Sequence, residues 1–326
     1  MLLAITFVCG VVAGAAKGAG SVSITTLGSP YTQNFDTLSN VAGSTTNTLT
    51  INGWYLTEGG GGTRDNEQYA VDNGASNTGD TYSYGLVEST ERALGELRSA
   101  TLIPLFGALF VNNTGSTIAS VAVSYTGEEW RLGTAGRLDQ LNFEYSTNAT
   151  DLTTGTWTAV PALAFVTPDT TIVGAKNGNA AGERTVLTAT IFGLSIPNGA
   201  TLWIRWTDTD VTGADDGLAV DDFSLTAYGI TAVTVTSLQA TRVRAGVRLR
   251  WRTGTDADLL GFQVYRSHRH SWRRITRSLI SAKSSVSGAS YGFLDRSASP
   301  RVHYRYRIKA LSSDGTTSWF GPVRLT

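Results

Sequence analysis

The chain has 326 residues and a formal net charge of zero, but that zero is the sum of two large opposite charges. Residues 1–232 carry 9 Lys and Arg against 22 Asp and Glu, a net −13, whereas residues 233–326 carry 17 against 4, a net +13. The length suffices for two domains with separate cores, and charge segregated this sharply excludes a single domain with an evenly mixed surface.

The chain begins with an apolar segment. Residues 2–16 read LLAITFVCGVVAGAA, a run too short to span a bilayer, and small residues follow at 18–20. This pattern predicts a signal peptide over residues 1–20, and hence a secreted or bacterial cell-surface protein with no transmembrane segment after cleavage. A retained anchor helix is the alternative. Cys9 is the only cysteine, so we expect a mature chain without disulfides.

The sequence pattern of residues 21–230 predicts an acidic β-sandwich. Short apolar–polar alternations recur between Gly- and Asn-rich turns, for example at 49–56, 118–125, 202–206 and 218–225, and no helical periodicity is sustained. A region of about 200 residues fits a jelly-roll-like sandwich better than an immunoglobulin-like domain, which needs about 100. The sequence therefore predicts an all-β fold.

One loop of this acidic region is crowded with carboxylates. The predicted metal ligands are Asp208, Asp210, Asp215, Asp216 and Asp221. Hard oxygen donors in a turn between two strands are what Ca²⁺ requires. The spacing is not that of an EF-hand, because Ala219 stands where the bidentate Glu belongs. The alternative hypothesis is that these aspartates are turn residues bonded to nearby backbone.

Glu128 and Glu129 form a second acidic group. The favoured hypothesis pairs one of them with Arg131 or Arg205, since arginine–carboxylate forks are common structural devices. The alternative hypothesis is that one of the two glutamates completes a metal shell.

Several segments of the acidic region carry a resemblance. They are 72–85 (DNGASNTGDTYSYG), 89–97 (STERALGEL), 112–118 (NNTGSTI), 124–131 (SYTGEEWR), 138–146 (LDQLNFEYS) and 202–225 (LWIRWTDTDVTGADDGLAVDDFSL). Together they resemble a jelly-roll-like β-sandwich module of bacterial secreted and surface proteins, including the N-terminal regions of extracellular nucleases. The resemblance implies architecture and export, and it implies no activity.

Residues 231–326 resemble a fibronectin type III domain throughout. Trp251, Tyr265, Tyr304 and Tyr306 match the aromatic positions that this resemblance implies. The family is a β-sandwich that serves as a spacer or binding module, so no catalytic residue is carried over.

The basic side chains of this second region are predicted to face solvent. In VRLRWR, residues 247–252, the apolar side chains alternate with arginines, so one set faces the core and the other faces outward. The side chains predicted to bind an anionic partner are Arg248, Arg250, Arg252, Arg305, Arg307, Arg269, Arg273 and Arg274. Trp272 lies beside Arg273 and Arg274, and an aromatic ring among cations is typical of sites that stack nucleic-acid bases. The alternative hypothesis is that Trp272 folds onto the core.

These features favour a noncatalytic secreted or cell-surface protein that mediates adhesion or association with matrix or envelope. Its partner would be an anionic surface or polysaccharide, with extracellular nucleic acid as another anionic partner, and Ca²⁺ would stabilise it. The alternative is a self-assembling extracellular structural protein, in which acidic and basic parts of successive copies associate. A glycan-binding or hydrolase-associated module ranks below these two.

We do not expect an enzyme. All three histidines, His268, His270 and His303, lie in the basic region, so the acidic region has no Ser-His-Asp set.

Overall fold

The computed structural model describes residues 17–229, 233–256, 259–268, 271–283, 288–312 and 316–325. Residues 1–16 of the predicted signal peptide lie outside these ranges, as does Arg269 of the predicted binding loop. The described residues are almost entirely strands and loops, with one short 3₁₀ turn at Pro161–Leu163. The predicted all-β fold is confirmed.

The chain divides into two compact units. The first comprises the described residues up to 116 together with 122–190 and 196–227. The second comprises 117–121, 191–195 and the described residues from 228 onward. The two short segments thus group with the basic region although they belong to the acidic part of the sequence.

Residues 17–229 form strands β1 to β16, of which β1 lies within the predicted signal peptide of residues 1–20. Their bounds are β1 Lys17–Gly18, β2 Val22–Ile24, β3 Pro30–Gln33, β4 Trp54–Gly59, β5 Tyr69–Asp72, β6 Asp80–Tyr84, β7 Ala93–Leu97, β8 Ile103–Asn112, β9 Ile118–Leu132, β10 Gln140–Ser146, β11 Thr158–Ala159, β12 Phe165–Val166, β13 Gly174–Ala175, β14 Arg184–Ile191, β15 Thr201–Asp208 and β16 Gly217–Gly229.

These strands form two sheets. One has the order β1-β4-β8-β15-β10-β11, with β2 beside β8 and β12 beside β10. The other has the order β13-β9-β16-β7-β6-β5, with β14 beside β9 and β3 beside β16. Neighbours such as β8 and β15, or β16 and β7, are distant in sequence, so tertiary pairing rather than local hairpins determines which side chains meet.

Aromatic rings fill the core of this unit. Trp206 of β15 stacks on Trp54 of β4 at 5.9 Å between ring centroids and on Phe106 of β8 at 5.4 Å. Phe223 of β16, in the other sheet, meets Trp54 and Trp206 edge-on at 5.4 and 5.8 Å. Edge-to-face contacts of this kind add about 0.5–1.5 kcal/mol each beyond the burial of area, so they help to hold the two sheets together.

The basic region forms strands β17 to β24. Their bounds are β17 Thr234–Val243, β18 Gly246–Thr255, β19 Leu259–His268, β20 Ser271–Arg274, β21 Ile280–Ser281, β22 Ser290–Asp295, β23 Arg305–Ser312 and β24 Thr317–Arg324. One sheet has the order β17-β18-β22, and the other has the order β20-β19-β23-β24 with β21 beside β19.

The core of the second unit follows the predicted alternation. Val247, Leu249 and Trp251 of β18 are buried, whereas the intervening arginines are exposed. Trp251 packs against Phe262 and stacks on Tyr291, with ring centroids 5.3 and 5.5 Å apart. The period-two pattern therefore decides both the core and the basic surface of this sandwich.

Candidate functional site

The outer side of the three-stranded sheet carries an arginine face, formed by Arg248, Arg250 and Arg252. All three side chains are exposed, and successive ones lie about 7 Å apart because they are two residues apart on a strand. Their cross-strand neighbours on β17 are Thr241, Gln239 and Ser237. The described residues that line the groove over this face, about 760 Å³, include no carboxylate.

A second groove, the arginine cleft, has a volume of about 820 Å³. Its arginines are Arg266, Arg273, Arg274, Arg277 and Arg296. The carboxylate in the cleft belongs to Asp295, which is buried, lies 2.8 Å from Arg266 and accepts a hydrogen bond from Tyr306 at 3.0 Å. Among the described residues no ion pair involves the other four arginines, so their charge is available to a ligand.

Arg305 and Arg307 lie on the outer side of the five-stranded sheet, where they meet aromatic rings. The Arg307 guanidinium carbon is 4.3 Å from the ring centroid of Trp272 and 3.8 Å from that of Trp319. Arg305 lies farther from Trp272, at 5.9 Å. Trp272 is thus half-buried against Arg307, neither folded into the core nor presented as an open stacking surface.

The acidic loop that the sequence singled out folds around an arginine. Arg137 lies 3.7 Å from Asp215 Oδ1, 3.3 Å from Asp216 Oδ1 and 3.3 Å from Asp139 Oδ2. The Thr167 hydroxyl donates a hydrogen bond to the second oxygen of Asp216 at 2.7 Å. An arginine therefore stands among the predicted metal ligands and supplies part of their countercharge.

Asp208 and Glu96 extend this group into the interior. Burial, together with the charges of Asp139 and Asp215, raises the pKa of Asp208 to about 9. Burial also raises the pKa of Glu96 well above its ordinary value, with Asp208 as the next cause. The pair therefore retains a proton at neutral pH. We call this set the acid–arginine network: Glu96, Arg137, Asp139, Asp208, Asp215 and Asp216.

The other two predicted ligands lie apart from this network. Asp210 is on its rim, where its side chain is 64% exposed and lies 3.2 Å from Arg98. Asp221, in β16, belongs to a different cluster. The structure thus brings together Asp208, Asp215 and Asp216 of the five aspartates and separates Asp221 from them.

That second cluster is a carboxylate triad, formed by Glu91, Glu128 and Asp221. One carboxylate oxygen from each residue lies within 4.8 Å of the other two. Glu128 is in β9, Asp221 is in β16, and Glu91 comes two residues before β7. These three strands are consecutive in one sheet, which explains how acids far apart in sequence meet.

Two members of the triad are buried, and the third, Glu91, is half-buried. Glu128 and Asp221 are 1% and 6% exposed, and Asp221 Oδ1 has no hydrogen-bond partner. Burial raises the pKa of Glu128 to about 7, although a hydrogen bond from Trp130 opposes the shift. Burial likewise raises the pKa of Asp221 to about 8, and the charge of Glu128 contributes to that shift.

Neither glutamate of the 128–129 pair takes the arginine partner that the sequence favoured. Arg205 pairs with Glu144 at 2.7 Å, and Arg131 donates to backbone carbonyls. Glu129 accepts a hydrogen bond from the backbone N–H of residue 169 at 3.0 Å. The prediction of an Arg131 or Arg205 pair was wrong, because strand pairing places those arginines beside other acceptors.

Four residues of these clusters were not predicted from the sequence: Glu91, Glu96, Asp139 and Arg137. Glu96 lies in β7, a strand that is buried on both sides. A charged residue between Gly95 and Leu97, within an apolar strand, was therefore the feature of the sequence that could have indicated a functional role. Glu91, by contrast, occurs in a polar stretch that resembles any exposed turn. Its role depends on Glu128 and Asp221, which no local pattern connects to it.

Comparison with protein-family models gives no match, and a search of the curated proteins finds no significant relative. Several solved structures are similar at a low level. The glycoside hydrolase domain of Endo-D from Streptococcus pneumoniae is 9% identical, with a TM-score of 0.28 over 82% of this chain and 37% of that one. The chain thus spans little more than a third of that domain.

Two further solved structures are similar at the same level. The adhesin domain of Epf from Streptococcus pyogenes is 10% identical, with a TM-score of 0.25 over 72% of this chain and 78% of that one. The tandem CBM22 modules of Xyn10C from Paenibacillus barcinonensis are 11% identical, with a TM-score of 0.32 over 94% and 90%. These scores are too low to support an argument about function. Among the described residues no helix is long and apolar enough to cross a membrane.

Proposed function

We propose that this protein is a noncatalytic, surface-associated module that binds an acidic polysaccharide through its basic C-terminal sandwich. The observation that carries the proposal is the arginine face: Arg248, Arg250 and Arg252 are exposed in a row, and the described lining of their groove contains no carboxylate. A row of fixed cations with regular spacing suits a polymer with repeated negative charges. Arginine also forms bidentate contacts with carboxylate and sulfate groups.

The arginine cleft supports the same conclusion. Arg273, Arg274, Arg277 and Arg296 surround a groove in which the carboxylate of Asp295 is already bonded to Arg266. An extended anionic chain would find unpaired guanidinium groups in both grooves. Contacts spread over two grooves give avidity to a long polymer without a deep pocket.

An acidic polysaccharide fits these surfaces better than a single-stranded nucleic acid. Proteins that bind single strands stack the bases on aromatic side chains beside a basic groove. Here Trp272 and Trp319 each face the Arg307 guanidinium, at 4.3 and 3.8 Å. The aromatic residues that line the groove over the arginine face, Trp251, Tyr291 and Phe293, are buried or half-buried, which favours recognition of charge over stacking of bases.

The proposed role is noncatalytic because the grooves lack a carboxylate pair. Glycoside hydrolysis uses two carboxyl groups that flank the scissile bond. The described lining of the two grooves supplies one carboxylate, Asp295, and that group is buried and bonded to Arg266 and Tyr306. Acids with raised pKa values, such as Asp208 and Asp221, lie inside the other unit.

Binding to immobilised polyuronate, with dextran sulfate and neutral dextran as comparisons, tests the proposal. We expect binding to both anionic polymers, release as salt rises, and no binding to neutral dextran, since exposed charge contacts are screened within about 10 Å at 0.1 M salt. The test variant is Arg248→Gln with Arg250→Gln. The matched control, Arg244→Gln with Arg301→Gln, removes the same charge outside both grooves.

Weaker binding by the test variant than by the control supports the proposal. Equal weakening by both variants would mean that net charge alone attracts the polymer, and it would overturn the assignment to the arginine face. Tighter binding of single-stranded DNA than of polyuronate at the same salt would overturn the choice of polysaccharide.

A further inference from the structure

We propose that Glu91, Glu128 and Asp221 bind a Ca²⁺ ion in the acidic sandwich. This site is distinct from the acidic loop of residues 208–216. It shares Asp221 with the ligand set predicted from sequence, and Glu128 with the alternative hypothesis in which one glutamate of the 128–129 pair completes a metal shell. The inference does not depend on polysaccharide binding by the other unit.

The distances in the triad match those of oxygens around one calcium ion. Ca²⁺ holds its oxygen ligands at about 2.4 Å, so two ligands of the same ion lie at most about 4.8 Å apart. One oxygen from each member of the triad falls within 4.8 Å of the others. Among the described residues this is the one group of three that meets the criterion.

Asp221 provides an independent observation. Its side chain is 94% buried, since only 6% is exposed, and its Oδ1 atom has no hydrogen-bond partner. A buried carboxylate oxygen without a donor is costly, because burial removes the water that would otherwise solvate it. A cation between Asp221 and its two neighbours would remove this cost.

The surrounding charges distinguish the triad from the acid–arginine network. In that network Arg137 lies within 4.0 Å of three carboxylates. Among the described residues no lysine or arginine forms an ion pair with the triad. Arg184 and Arg92 act on it only as more distant charges, and Asp222 adds a further negative charge. The triad thus lacks the countercharge that the other cluster already has.

Two members of the triad accept hydrogen bonds from neighbouring side chains. The Trp130 indole donates to Glu128 Oε2 at 2.9 Å, and the Asn179 amide donates to Glu91 Oε2. Each of these bonds fixes one carboxylate from outside, as second-shell groups do at metal sites. Asn179 also carries a carbonyl oxygen beside Glu91, and rotation of its amide would offer that oxygen as a fourth protein ligand.

Trp130 makes the site observable with terbium, which replaces calcium in oxygen-rich sites. Excitation of a tryptophan in contact with a ligand carboxylate is transferred to Tb³⁺, so the full chain with Tb³⁺ should emit when tryptophan is excited. We expect Ca²⁺ to displace Tb³⁺ and to remove this emission. Mg²⁺ should compete poorly, since it needs shorter distances and retains its water.

Substitutions in the triad and in its surroundings test whether the emission comes from Tb³⁺ bound at the triad. Glu128→Gln with Asp221→Asn should lower Tb³⁺ affinity by more than about tenfold, because loss of an outer-shell partner alone costs that much. Trp130→Phe should lose most of the sensitised emission and still show a rise in melting temperature with Ca²⁺. Asp210→Asn, which removes an exposed carboxylate of the acidic loop, should change neither result.

Two results would overturn the proposal. One is a wild-type chain that shows neither Tb³⁺ emission nor a change of melting temperature with Ca²⁺. The other is emission that survives in the Glu128 and Asp221 double variant and is lost in Asp210→Asn, which would place the ion in the acidic loop. The wild-type measurements decide the first point even where a variant fails to fold.

Discussion

The indole N–H of Trp130 donates a hydrogen bond to Glu128 Oε2 over 2.9 Å, and both residues belong to β9. They are two residues apart, so their side chains leave the strand on the same side. Trp130 in turn stacks on Tyr84, with ring centroids 5.9 Å apart. An aromatic pair of the core therefore orients one carboxylate of the proposed calcium site, and this connects the stability of the sheet to the binding of the ion.

Calcium should stabilise the acidic sandwich against heat. At a Ca²⁺ concentration about a hundredfold above Kd, binding adds about 2.7 kcal/mol to the free energy of unfolding. For a domain of this size that corresponds to a rise of about 5–10 °C in the melting temperature. Scanning calorimetry with Ca²⁺ and with a chelator measures the difference, and Asp221→Asn should abolish it.

The stability of the calcium-free protein should fall as pH rises from about 5 to about 9. The pKa of Asp208 is about 9 in the folded state and near 4 in the unfolded chain, so the native state binds more protons between these values. The free energy of unfolding therefore decreases with pH in this window. Urea titrations at several pH values should give a flatter profile for Asp208→Asn than for the wild type, and equal slopes would contradict the role assigned to Asp208.

Arg137→Gln should destabilise the acidic sandwich by about 3 kcal/mol or more, because loss of one partner leaves buried carboxylates uncompensated. Arg137 contacts Asp139, Asp215 and Asp216, whose side chains are almost fully buried. The control is Arg98→Gln. Its partner Asp210 is exposed, so the change should cost less than about 1 kcal/mol. Chemical denaturation of both variants provides the comparison, and similar losses would contradict the assigned role of Arg137.

Arg307→Met should weaken polysaccharide binding less than Arg250→Met. The Arg307 guanidinium lies between Trp272 and Trp319, whereas Arg250 extends from an open sheet face. Methionine preserves most of the packing of either side chain. Affinity for immobilised polyuronate at fixed low salt measures the difference, and a larger loss for Arg307→Met would place the binding surface on the five-stranded sheet instead.

The strand pattern of β18 shows how much of the basic surface was predictable. Val247, Leu249 and Trp251 are buried and the arginines between them are exposed, as period-two alternation predicts. Period-two alternation does not predict that the Arg307 guanidinium lies beside the indoles of Trp272 and Trp319. Trp272 and Trp319 belong to β20 and β24, and their approach to Arg307 depends on the order of strands in the sheet.

The candidate metal ligands divide in the same way. A crowded acidic loop was evident from the spacing of Asp208, Asp215 and Asp216, but Arg137 was not, because it contacts them from a different part of the chain. Asp221 was predicted as a ligand of the same loop, but the structure places it beside Glu91 and Glu128 instead.

The order of residues along the chain was sufficient to predict the all-β class and the exposed arginines of β18. Alternation and charge are properties of residues that are close in sequence, so they do not depend on which strands pair with each other. The membership of the carboxylate triad was decided only by tertiary structure. Glu91, Glu128 and Asp221 meet because β7, β16 and β9 are consecutive in one sheet, and pairing between strands so distant in sequence is fixed by packing of the whole core.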